Sequence, residues 1–426
     1  METKIQSIYN KTMDETCIEA VHSSGLTVRI VKKPGKSRKT AMLATKYGSI
    51  NREFEYNGKF ITIPNGTAHF LEHKLFEGKN GNAFDFYAKT GAKANAYTSN
   101  DKTAYYFTCT DKFEENLEIL LSFISNPFLT DENVEKEKGI IGQEIKMYED
   151  EPSWQGYFGL VGCLYGTHPV KYDIAGTVED IAPITVDTLM SCYNTFYHPS
   201  NMVLAVVGDV DEKAVLKLCD KYFKPGTELK INQKIDCEPR GVIKNYTEKI
   251  MPVSRPVFYI GIKDNDTQLS GKELAKKETE IEMLLEMLFG TSTSFYKELY
   301  DKGIINSEFE SDYEMSDTFA FCLLAGESDK PLEVLERVKK EIADFLSNGV
   351  LEQRFIQVRN TLYGEIISAC DNVSEIASML ISSKFSEREP FDRAQILADI
   401  TAQDIINRAK ELLSPLDIAV SVIKGE

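Results

Sequence analysis

Two of the five histidines in this chain lie four residues apart, with a glutamate directly before the second. They are His69 and His73, and the glutamate is Glu72 in the sequence HFLEH. On an α-helix, residues four apart share one face, so both imidazole rings can reach a single metal ion. Glu72 then lies at the flank of that face, where it can take a proton from water without binding the metal. The HxxEH pattern therefore indicates a hydrolytic metal centre. The alternative is two ordinary histidines on an amphipathic helix.

A helix must position these side chains, and the preceding residues favour one. Pro64-Asn65-Gly66-Thr67 can end a strand and start a helix directly before the histidines. A hydrolytic zinc site usually takes a third protein ligand, often a carboxylate, and keeps one position for water. That ligand has to come from elsewhere in the chain, and manganese or cobalt stays open as the metal.

The remaining sequence indicates a mixed α+β protein. Strand-like runs occupy residues 26–31, 40–46, 93–98, 104–110 and 202–207, and helical periodicity occupies 114–125, 131–149, 185–197 and 212–222. These elements do not alternate as regular βαβ units, and no glycine-rich nucleotide loop follows a strand. We therefore predict an α+β fold and not a doubly wound parallel sheet.

Internal duplication is a second feature of the sequence. HFLEH at residues 69–73 has a counterpart in MLLEM at 283–287, and the segment starting at Pro199 resembles the one starting at Pro415. Both matches are separated by nearly the same interval, about half of the chain. We predict two homologous α/β sandwich domains, residues 1–224 and 246–426, joined by a polar linker at 225–245. Because the second copy has methionine in place of both histidines, only the first can hold the metal.

Composition limits the classes of partner. The net charge is −17, from 49 Lys and Arg against 66 Asp and Glu, which argues against nucleic acid or an anionic membrane surface. We expect no signal peptide and no membrane helix, since no stretch approaches the ~18 apolar residues that a span requires. The eight cysteines are scattered without a CxxC pair. This pattern is typical of reduced thiols, and it predicts a cytoplasmic protein.

Several segments resemble the pitrilysin- and insulysin-type zinc peptidases, a family that includes the mitochondrial processing peptidase. HFLEH is followed by a long acidic helix with the sequence EKEKGIIGQE, in which Glu137 and Glu144 lie seven residues apart. The resemblance implies one zinc ion per chain, bound by His69, His73 and Glu144. It also implies that Glu137 orients a metal ligand without binding the metal. Each acid alone has the alternative of being ordinary helix surface.

The resemblance extends to the substrate. GAKANAYTSNDKTAYYF at residues 91–107 resembles the family's substrate-pairing edge strand, which implies that Asn95, Ala96 and Tyr97 bind an extended peptide. An ordinary edge strand is the alternative. The length of the chain is similar to the short branch of the family, whose chains pair to enclose a chamber. The resemblance therefore implies that this chain forms half of a clamshell.

One segment departs from the family pattern. Active members usually place an arginine and a tyrosine, seven residues apart, in a later domain facing the zinc. The segment that should supply them, residues 295–309, has Tyr300 and Ser307 at these places, and no arginine lies between Arg255 and Arg337. Two donors for the developing oxyanion are therefore missing from this chain.

Together these features predict a zinc-dependent metalloendopeptidase that hydrolyses short or unfolded peptides, with water activated by zinc and Glu72. We expect it to act as a heterodimer with a paralogous subunit that supplies the Arg/Tyr pair. In an active homodimer, Tyr296, Tyr313 or Lys302 would have to replace that pair. A non-catalytic assembly subunit of the same fold and a metal-dependent hydrolase of another substrate class are the further alternatives.

Overall fold

The computed structural model describes residues 2–236 and 238–425. Its strands are β1 (Lys4–Asn10), β2 (Glu15–Val21), β3 (Thr27–Lys32), β4 (Lys39–Thr45), β5 (Glu53–Tyr56), β6 (Lys59–Thr62), β7 (Glu77–Gly78), β8 (Gly81–Asn82), β9 (Lys93–Thr98), β10 (Thr103–Cys109), β11 (Met202–Gly208), β12 (Gln233–Lys234), β13 (Tyr246–Ile250), β14 (Val257–Asp264), β15 (Glu310–Met315), β16 (Ala320–Glu327) and β17 (Ile418–Lys424).

The α-helices are α1 (Thr67–Leu75), α2 (Ala83–Thr90), α3 (Phe113–Ser125), α4 (Asp131–Glu149), α5 (Pro152–Leu164), α6 (Val178–Ile181), α7 (Val186–Phe196), α8 (Glu212–Tyr222), α9 (Gly271–Phe289), α10 (Ser294–Asp301), α11 (Pro331–Asn348), α12 (Glu352–Ala369), α13 (Val373–Phe385), α14 (Arg393–Asp399) and α15 (Ala402–Leu413). Short 3₁₀ turns occupy Pro169–Lys171 and Pro199–Asn201.

The chain divides into two compact units, and each takes segments from both halves of the sequence. The first unit contains the residues up to Ile145 together with Asp173–Ile235 and Ile367–Asp392. The second contains Lys146–Tyr172, Asp236–Ile366 and the residues from Arg393 onward. The predicted domains therefore differ from these units by two exchanged segments, 146–172 and 367–392, and the predicted division at 225–245 stays a prediction.

In the first unit, the main sheet has the strand order β1-β2-β3-β11-β4-β10-β9. β11 pairs parallel with β3 and antiparallel with β4, and its residues Met202–Gly208 are all buried. Strands that are covered on both faces favour such continuous apolar runs. Helix α13 packs on β4 and β11, and its residues Ile376 and Leu380 belong to the same apolar core as Val31 and Ala205.

The sheet of the second unit repeats this topology. Its strand order is β13-β17-β14-β16-β15, with β13 and β17 parallel and the other pairs antiparallel. The first sheet has the same pattern in β3-β11-β4-β10-β9. The structure thus confirms the predicted α+β class with two related sheets.

Helix α5 packs on the second sheet, against β13, β14 and β17. Two glycines allow this close packing: a Cβ atom at Gly156 would lie 2.5 Å from the Tyr259 ring, and one at Gly159 would lie 2.6 Å from the Ser421 hydroxyl. Since α5 belongs to the first half of the sequence and α13 to the second, each unit contains a helix from the opposite half.

The predicted linker has a defined path. Gln233 in β12 pairs with Phe54 in β5. Within the second unit, the Glu238 carboxylate accepts hydrogen bonds from the main-chain N–H groups of Gly166, Thr167 and His168. These bonds hold the pKa of Glu238 at about 2, although burial alone would raise it. The segment is therefore fixed by specific hydrogen bonds at both places.

Two predictions drawn from composition can be compared with the structure. Among the helices at residues 2–236 and 238–425, none combines the length and apolar character needed to cross a membrane. The cysteines in this part of the chain are free, and all are buried except the half-buried Cys370. Cys237 lies outside the described residues.

Candidate metal centre and catalytic site

Helix α1 begins at a glycine that no other residue can replace without strain. Gly66 has a left-handed φ of 78°, and a Cβ atom there would lie 2.3 Å from the carbonyl oxygen of Ala175. The Thr67 hydroxyl donates a hydrogen bond to the Pro64 carbonyl at 2.7 Å. Because Phe70 is fully buried, the helix is anchored in the core on one side. This leaves the histidines on another face.

Helices α1 and α4 bring His69, His73 and Glu144 together. The Glu144 carboxylate lies 3.7 Å from His69 Nε2 and 3.4 Å from His73 Nε2, and one ligand atom from each residue lies within 4.8 Å of the others. The exposed fractions of the three side chains are 12%, 26% and 23%, so solvent and small ligands reach them. Two imidazole nitrogens and one carboxylate oxygen around a common point fit the ligand set of zinc.

Glu137 lies behind this group, as a ligand-orienting carboxylate would. Its Oε1 atom accepts a hydrogen bond from His73 Nδ1 at 3.2 Å, which leaves His73 Nε2 directed toward Glu144. Its Oε2 atom is 3.3 Å from Nζ of the fully buried Lys74, which also pairs with Glu77. Burial alone would raise the pKa of Glu137, but the hydrogen bond from His73 and the charge of Lys74 lower it. Glu137 therefore stays charged beside the ring that it orients.

The pKa values of the two histidines are shifted in opposite directions. Burial and the neighbouring His73 lower the pKa of His69 to about 4. Burial would also lower the pKa of His73, but the hydrogen bond to Glu137 and the charge of Glu144 outweigh it and raise the pKa. Within the described residues, Nδ1 of His69 has no hydrogen-bond partner. A ring that resists protonation stays available as a metal ligand near neutral pH.

Glu72 is buried beside the histidines, with 8% of its surface exposed. The Thr98 hydroxyl donates a hydrogen bond to its Oε2 atom at 2.7 Å. Burial raises the pKa of Glu72, and the hydrogen bond from Thr98 and the charge of His73 oppose that rise only in part. A raised pKa makes this carboxylate a stronger proton acceptor than an ordinary glutamate.

The predicted substrate strand is β9, which lies at one edge of its sheet and pairs with β10 along its other side. Asn95 is exposed, and Ala96 and Tyr97 are half-buried. The Asn95 side-chain oxygen accepts a hydrogen bond from the Ala96 N–H at 2.9 Å. Thr98 is the last residue of β9, and its hydroxyl contacts Glu72. The end of this strand therefore lies next to the candidate catalytic residue. Peptide binding by the strand stays a prediction.

A cavity of about 770 Å³ adjoins these residues, and Glu72, His73, Asn95 and Ala96 line it. The sequence analysis did not identify this cavity, nor the roles of Thr98 and Lys74. Residues two apart in a strand share a face. Because Ala96 was already a candidate for substrate binding, this alternation could have placed Thr98 on the same face of β9. For Lys74 the local signal was Glu77 three residues later, whereas its second carboxylate partner, Glu137, is distant in sequence.

In the second unit, the residues considered as replacements for the missing Arg/Tyr pair are mostly engaged. Tyr313 is 8% exposed, and its hydroxyl donates to Asp264 at 2.7 Å. Lys302 contacts Glu298 at 2.7 Å. Tyr296 stacks on Tyr300, with ring centroids 5.7 Å apart.

Arg255 is distant in sequence from this segment but lies against it. Its Nη2 atom donates to the Gly303 carbonyl at 2.8 Å, and its Nε atom is 3.4 Å from the Asp329 carboxylate. These contacts hold the guanidinium against a turn of its own unit.

Comparisons with known proteins agree on one family. The family model described as Insulinase (Peptidase family M16) matches residues 28–164, and the one described as Peptidase M16 inactive domain matches residues 183–362. The uncharacterized zinc protease YmfH of Bacillus subtilis is 39% identical over 414 residues, which cover 96% of this chain and 96% of that protein.

Two further similarities concern a named subunit and a solved structure. The beta subunit of the mitochondrial-processing peptidase of Caenorhabditis elegans is 35% identical over 191 residues, 42% of each chain. The crystal structure of an M16-like peptidase from Alicyclobacillus acidocaldarius superimposes with a TM-score of 0.91 at 32% identity, covering 100% of this chain and 99% of that one.

Proposed function

Because this chain belongs to the insulinase family, peptidase family M16, we propose that it is a zinc-dependent metalloendopeptidase acting on short or unfolded peptides. The observation that carries this proposal is the convergence of His69, His73 and Glu144, with Glu72 buried beside them. A relative that covers nearly the whole chain is named a zinc protease, which supports both the metal and the reaction class.

Each residue of the site has a distinct task. His69, His73 and Glu144 hold the metal, and Glu137 fixes the orientation of the His73 ring. When bound, zinc supplies the positive charge that acidifies water and polarises the peptide carbonyl. Glu72 takes the proton of the attacking water and passes it to the leaving amine, a transfer for which its raised pKa is suited.

The substrate binds along β9. Its free edge offers main-chain N–H and C=O groups to an extended peptide, which adds to the sheet as a further strand. Such pairing recognises the backbone more than the side chains, so unfolded segments of varied sequence are substrates. Asn95 is exposed on this edge, and its amide N–H₂ donates to the peptide backbone.

Full activity requires a paralogous subunit that supplies an arginine and a tyrosine facing the metal. Tyr313 is committed to Asp264 and Arg255 to the Gly303 carbonyl, which argues against replacement of these donors from within the chain. A homodimer brings only the same residues a second time. Losing one oxyanion donor commonly costs ~10²–10³ in rate. The C. elegans relative is named as a subunit of a peptidase, which is consistent with a split site.

The non-catalytic assembly subunit remains the alternative function. One family-model name contains the words "inactive domain", but that match covers residues 183–362 and none of the proposed site residues. We also infer a cytoplasmic location, supported by the free thiols of the described cysteines.

The test uses the zinc-loaded chain, unstructured peptides, and the paralogous partner obtained by pull-down of the native protein. We expect slow cleavage by the isolated chain, an increase of roughly 10² or more with the partner, and complete loss with a chelator. If the isolated chain is as fast as the pair, the split site is wrong. If fully zinc-loaded chain and partner together cleave no peptide, the chain is a non-catalytic subunit.

A further inference from the structure

We propose that the cavity beside Glu72 and His73 binds a substrate carboxylate through Lys79 and Lys136, and so selects peptides with an acidic group two or three residues beyond the cleaved bond. The carboxylate belongs either to an aspartate or glutamate side chain or to the C-terminus of the peptide. This inference rests on the proposed peptidase function and adds a specificity determinant to the same site.

The cavity is continuous with the catalytic residues. Glu72 and His73 line it together with Asn95 and Ala96 of β9, and its other walls come from the β7–β8 hairpin and from α4. A peptide that pairs with β9 therefore passes along this cavity. Its volume of about 770 Å³ has room for several side chains.

Two lysines that line the cavity, Lys79 and Lys136, are the positive charges considered as ligands for a substrate carboxylate. Of the three acidic residues that line it, Glu77 and Glu137 share the buried Lys74, and Glu72 accepts a hydrogen bond from the Thr98 hydroxyl. Lys79 lies in the turn of the β7–β8 hairpin and Lys136 lies on α4, and both are exposed. Among the ion pairs within 4 Å in the described part of the chain, none includes Lys79 or Lys136. Two free ammonium groups on one cavity favour an anionic group of the ligand.

The direction of the peptide follows from strand pairing. β9 already pairs antiparallel with β10, and antiparallel pairs are both commoner and more stable than parallel ones. A peptide antiparallel to β9 runs from Thr98 toward Lys93. The cleaved bond lies near Glu72, which Thr98 contacts. The residues after that bond therefore enter the cavity beside Asn95.

The distance along α4 sets the position of the carboxylate. Lys136 lies eight residues before Glu144, which corresponds to about 12 Å along the helix axis. An extended peptide advances ~3.3 Å per residue, and the flexible lysine side chain covers part of the distance. The acidic group is therefore expected at the second or third residue after the cleaved bond.

The apolar walls strengthen the attraction. Phe84 and Ile140 line the cavity and expose 45% and 49% of their surface to it and to solvent. A bound peptide covers these side chains and displaces water from around the ammonium groups. The effective dielectric constant then falls, so a charge pair contributes more to binding than it would on an open surface.

Binding is measured with the zinc-loaded Glu72→Gln variant, which holds peptides without turning them over. A neutral peptide, whose cleavage point is first mapped by mass spectrometry with the wild-type chain and its partner, provides the parent sequence. Fluorescent derivatives carry Glu, Gln or Lys at the second or third position after that point, each with an amidated or a free C-terminus. Affinities come from fluorescence anisotropy at low and high salt.

We expect the Glu peptide to bind about three- to tenfold more tightly than the Gln peptide at low salt, with a smaller ratio at high salt. If the Glu peptide binds more tightly than the Gln peptide when both have amidated C-termini, the ligand is a side-chain carboxylate. If tight binding requires a free C-terminus, the ligand is the C-terminal carboxylate. In the background of Glu72→Gln, combined Lys79→Gln and Lys136→Gln substitutions should bring the ratio close to one. Lys217→Gln is the matched control, since Lys217 is exposed on α8 and does not line the cavity.

Two results would overturn the inference, and they are distinguishable. If the parent peptide is cleaved but the Glu and Gln peptides bind equally, or the double lysine variant keeps the ratio, the carboxylate site is wrong and the peptidase stands. If no cleavage point can be mapped although zinc is fully bound, the proposed function fails and the inference fails with it.

Discussion

Helices α1 and α9 occupy equivalent places in the two units, yet the motif they share has different consequences. α1 carries His69 and His73 next to Glu144. α9 carries Met283 and Met287 at the corresponding positions, and both are buried in the apolar core. The second unit therefore uses this helix for packing, whereas in the first unit it carries the proposed metal ligands.

One acidic residue makes the comparison sharper, because the second unit keeps it. Glu286 stands where α1 has Glu72, and burial together with the charge of Glu365 raises its pKa. Arg354 donates to the main-chain oxygen of Glu286 at 2.6 Å and lies 3.6 Å from its carboxylate. A guanidinium thus lies against the one acid that the second unit keeps. Replacement of the two imidazoles by thioethers, together with one arginine, accounts for a structural helix in place of the one proposed to bind metal.

The largest effect is expected from giving α1 the residues of α9. The double substitution His69→Met and His73→Met removes both nitrogen ligands, so zinc should fall from one ion per chain to almost none and cleavage to background. Elemental analysis measures the zinc content, and the turnover of an unstructured peptide measures the cleavage. Met283→Leu with Met287→Leu is the matched control and should keep the zinc. A double histidine variant with full zinc occupancy would remove the proposed ligand set.

The two equivalent glutamates should differ by orders of magnitude. Glu72→Gln keeps the hydrogen bond acceptor for Thr98 but cannot take a proton, so kcat/KM should fall by roughly 10²–10⁴ while zinc stays bound. Glu286→Gln should change kcat/KM less than about twofold, since no reacting atom lies in its surroundings. Similar losses in both variants, measured on one unstructured peptide, would contradict the division of labour between the units.

A third difference lies between the histidines proposed to bind metal and a histidine that is buried in the second unit. His168 in the second unit is 1% exposed, and its Nδ1 atom accepts from the Val170 N–H at 3.1 Å while Nε2 lies 3.0 Å from the Thr318 hydroxyl. Burial lowers its pKa to about 4, although the charge of Glu238 opposes this.

Because the unfolded chain protonates His168 near pH 6.5 and the folded chain resists it, this residue makes stability fall as the pH drops from about 6.5 to about 4. The full contribution is on the order of 3 kcal/mol. His168→Gln should therefore reduce the shift of the urea midpoint between pH 7 and pH 4.5. An unchanged shift would show that His168 does not determine this part of the acid sensitivity.

A smaller effect is expected at Thr98, where the equivalent strand β15 ends in Met315. The hydrogen bond from Thr98 lowers the pKa of Glu72. Thr98→Val removes this bond, so the pKa of Glu72 should rise. The acid limb of the pH–rate profile should then move to higher pH, and kcat/KM should fall about tenfold. Thr108→Val in β10 is the control and should leave the profile in place. A Thr98→Val enzyme with the wild-type acid limb would show that the hydrogen bond does not tune Glu72.

The smallest effect is expected at Asn95, whose counterpart in β15 is Asp312. Both side-chain oxygens accept from the next main-chain N–H, at 2.9 Å for Asn95 and 2.7 Å for Asp312. Asn95→Ala should raise KM about threefold by removing one hydrogen bond to the peptide, and Asp312→Ala should not. Equal KM values for the two variants on several peptides would argue against substrate pairing along β9.

Local patterns in the sequence were sufficient to predict many of the elements. β9 and α4 begin and end at the predicted residues 93–98 and 131–149, because alternation and helical period are properties of neighbouring residues. The placement of His69 and His73 on one helix followed from their spacing and from the helix-starting residues 64–67 before them. Their approach to Glu144, implied by the family resemblance, is present in the structure.

The features that could not be predicted from the sequence are contacts between segments that are distant along the chain. An amphipathic pattern shows which face of a helix is buried but not which sheet covers it, so the exchange of α5 and α13 between the units could not be predicted. The same holds for the pairing of Lys74 with Glu137 and of Thr98 with Glu72. The β1–β2 hairpin was missed because β1 is largely exposed and lacks an apolar alternation.

The most direct test of the contrast between the units is anomalous X-ray diffraction at the zinc edge on crystals of the zinc-loaded chain. The account predicts one strong peak per chain, ~2.0–2.2 Å from the Nε2 atoms of His69 and His73 and from a Glu144 oxygen. It predicts no peak near Met283 and Met287. A dominant peak at any other group of residues, or full zinc occupancy with no peak between the histidines, would contradict it.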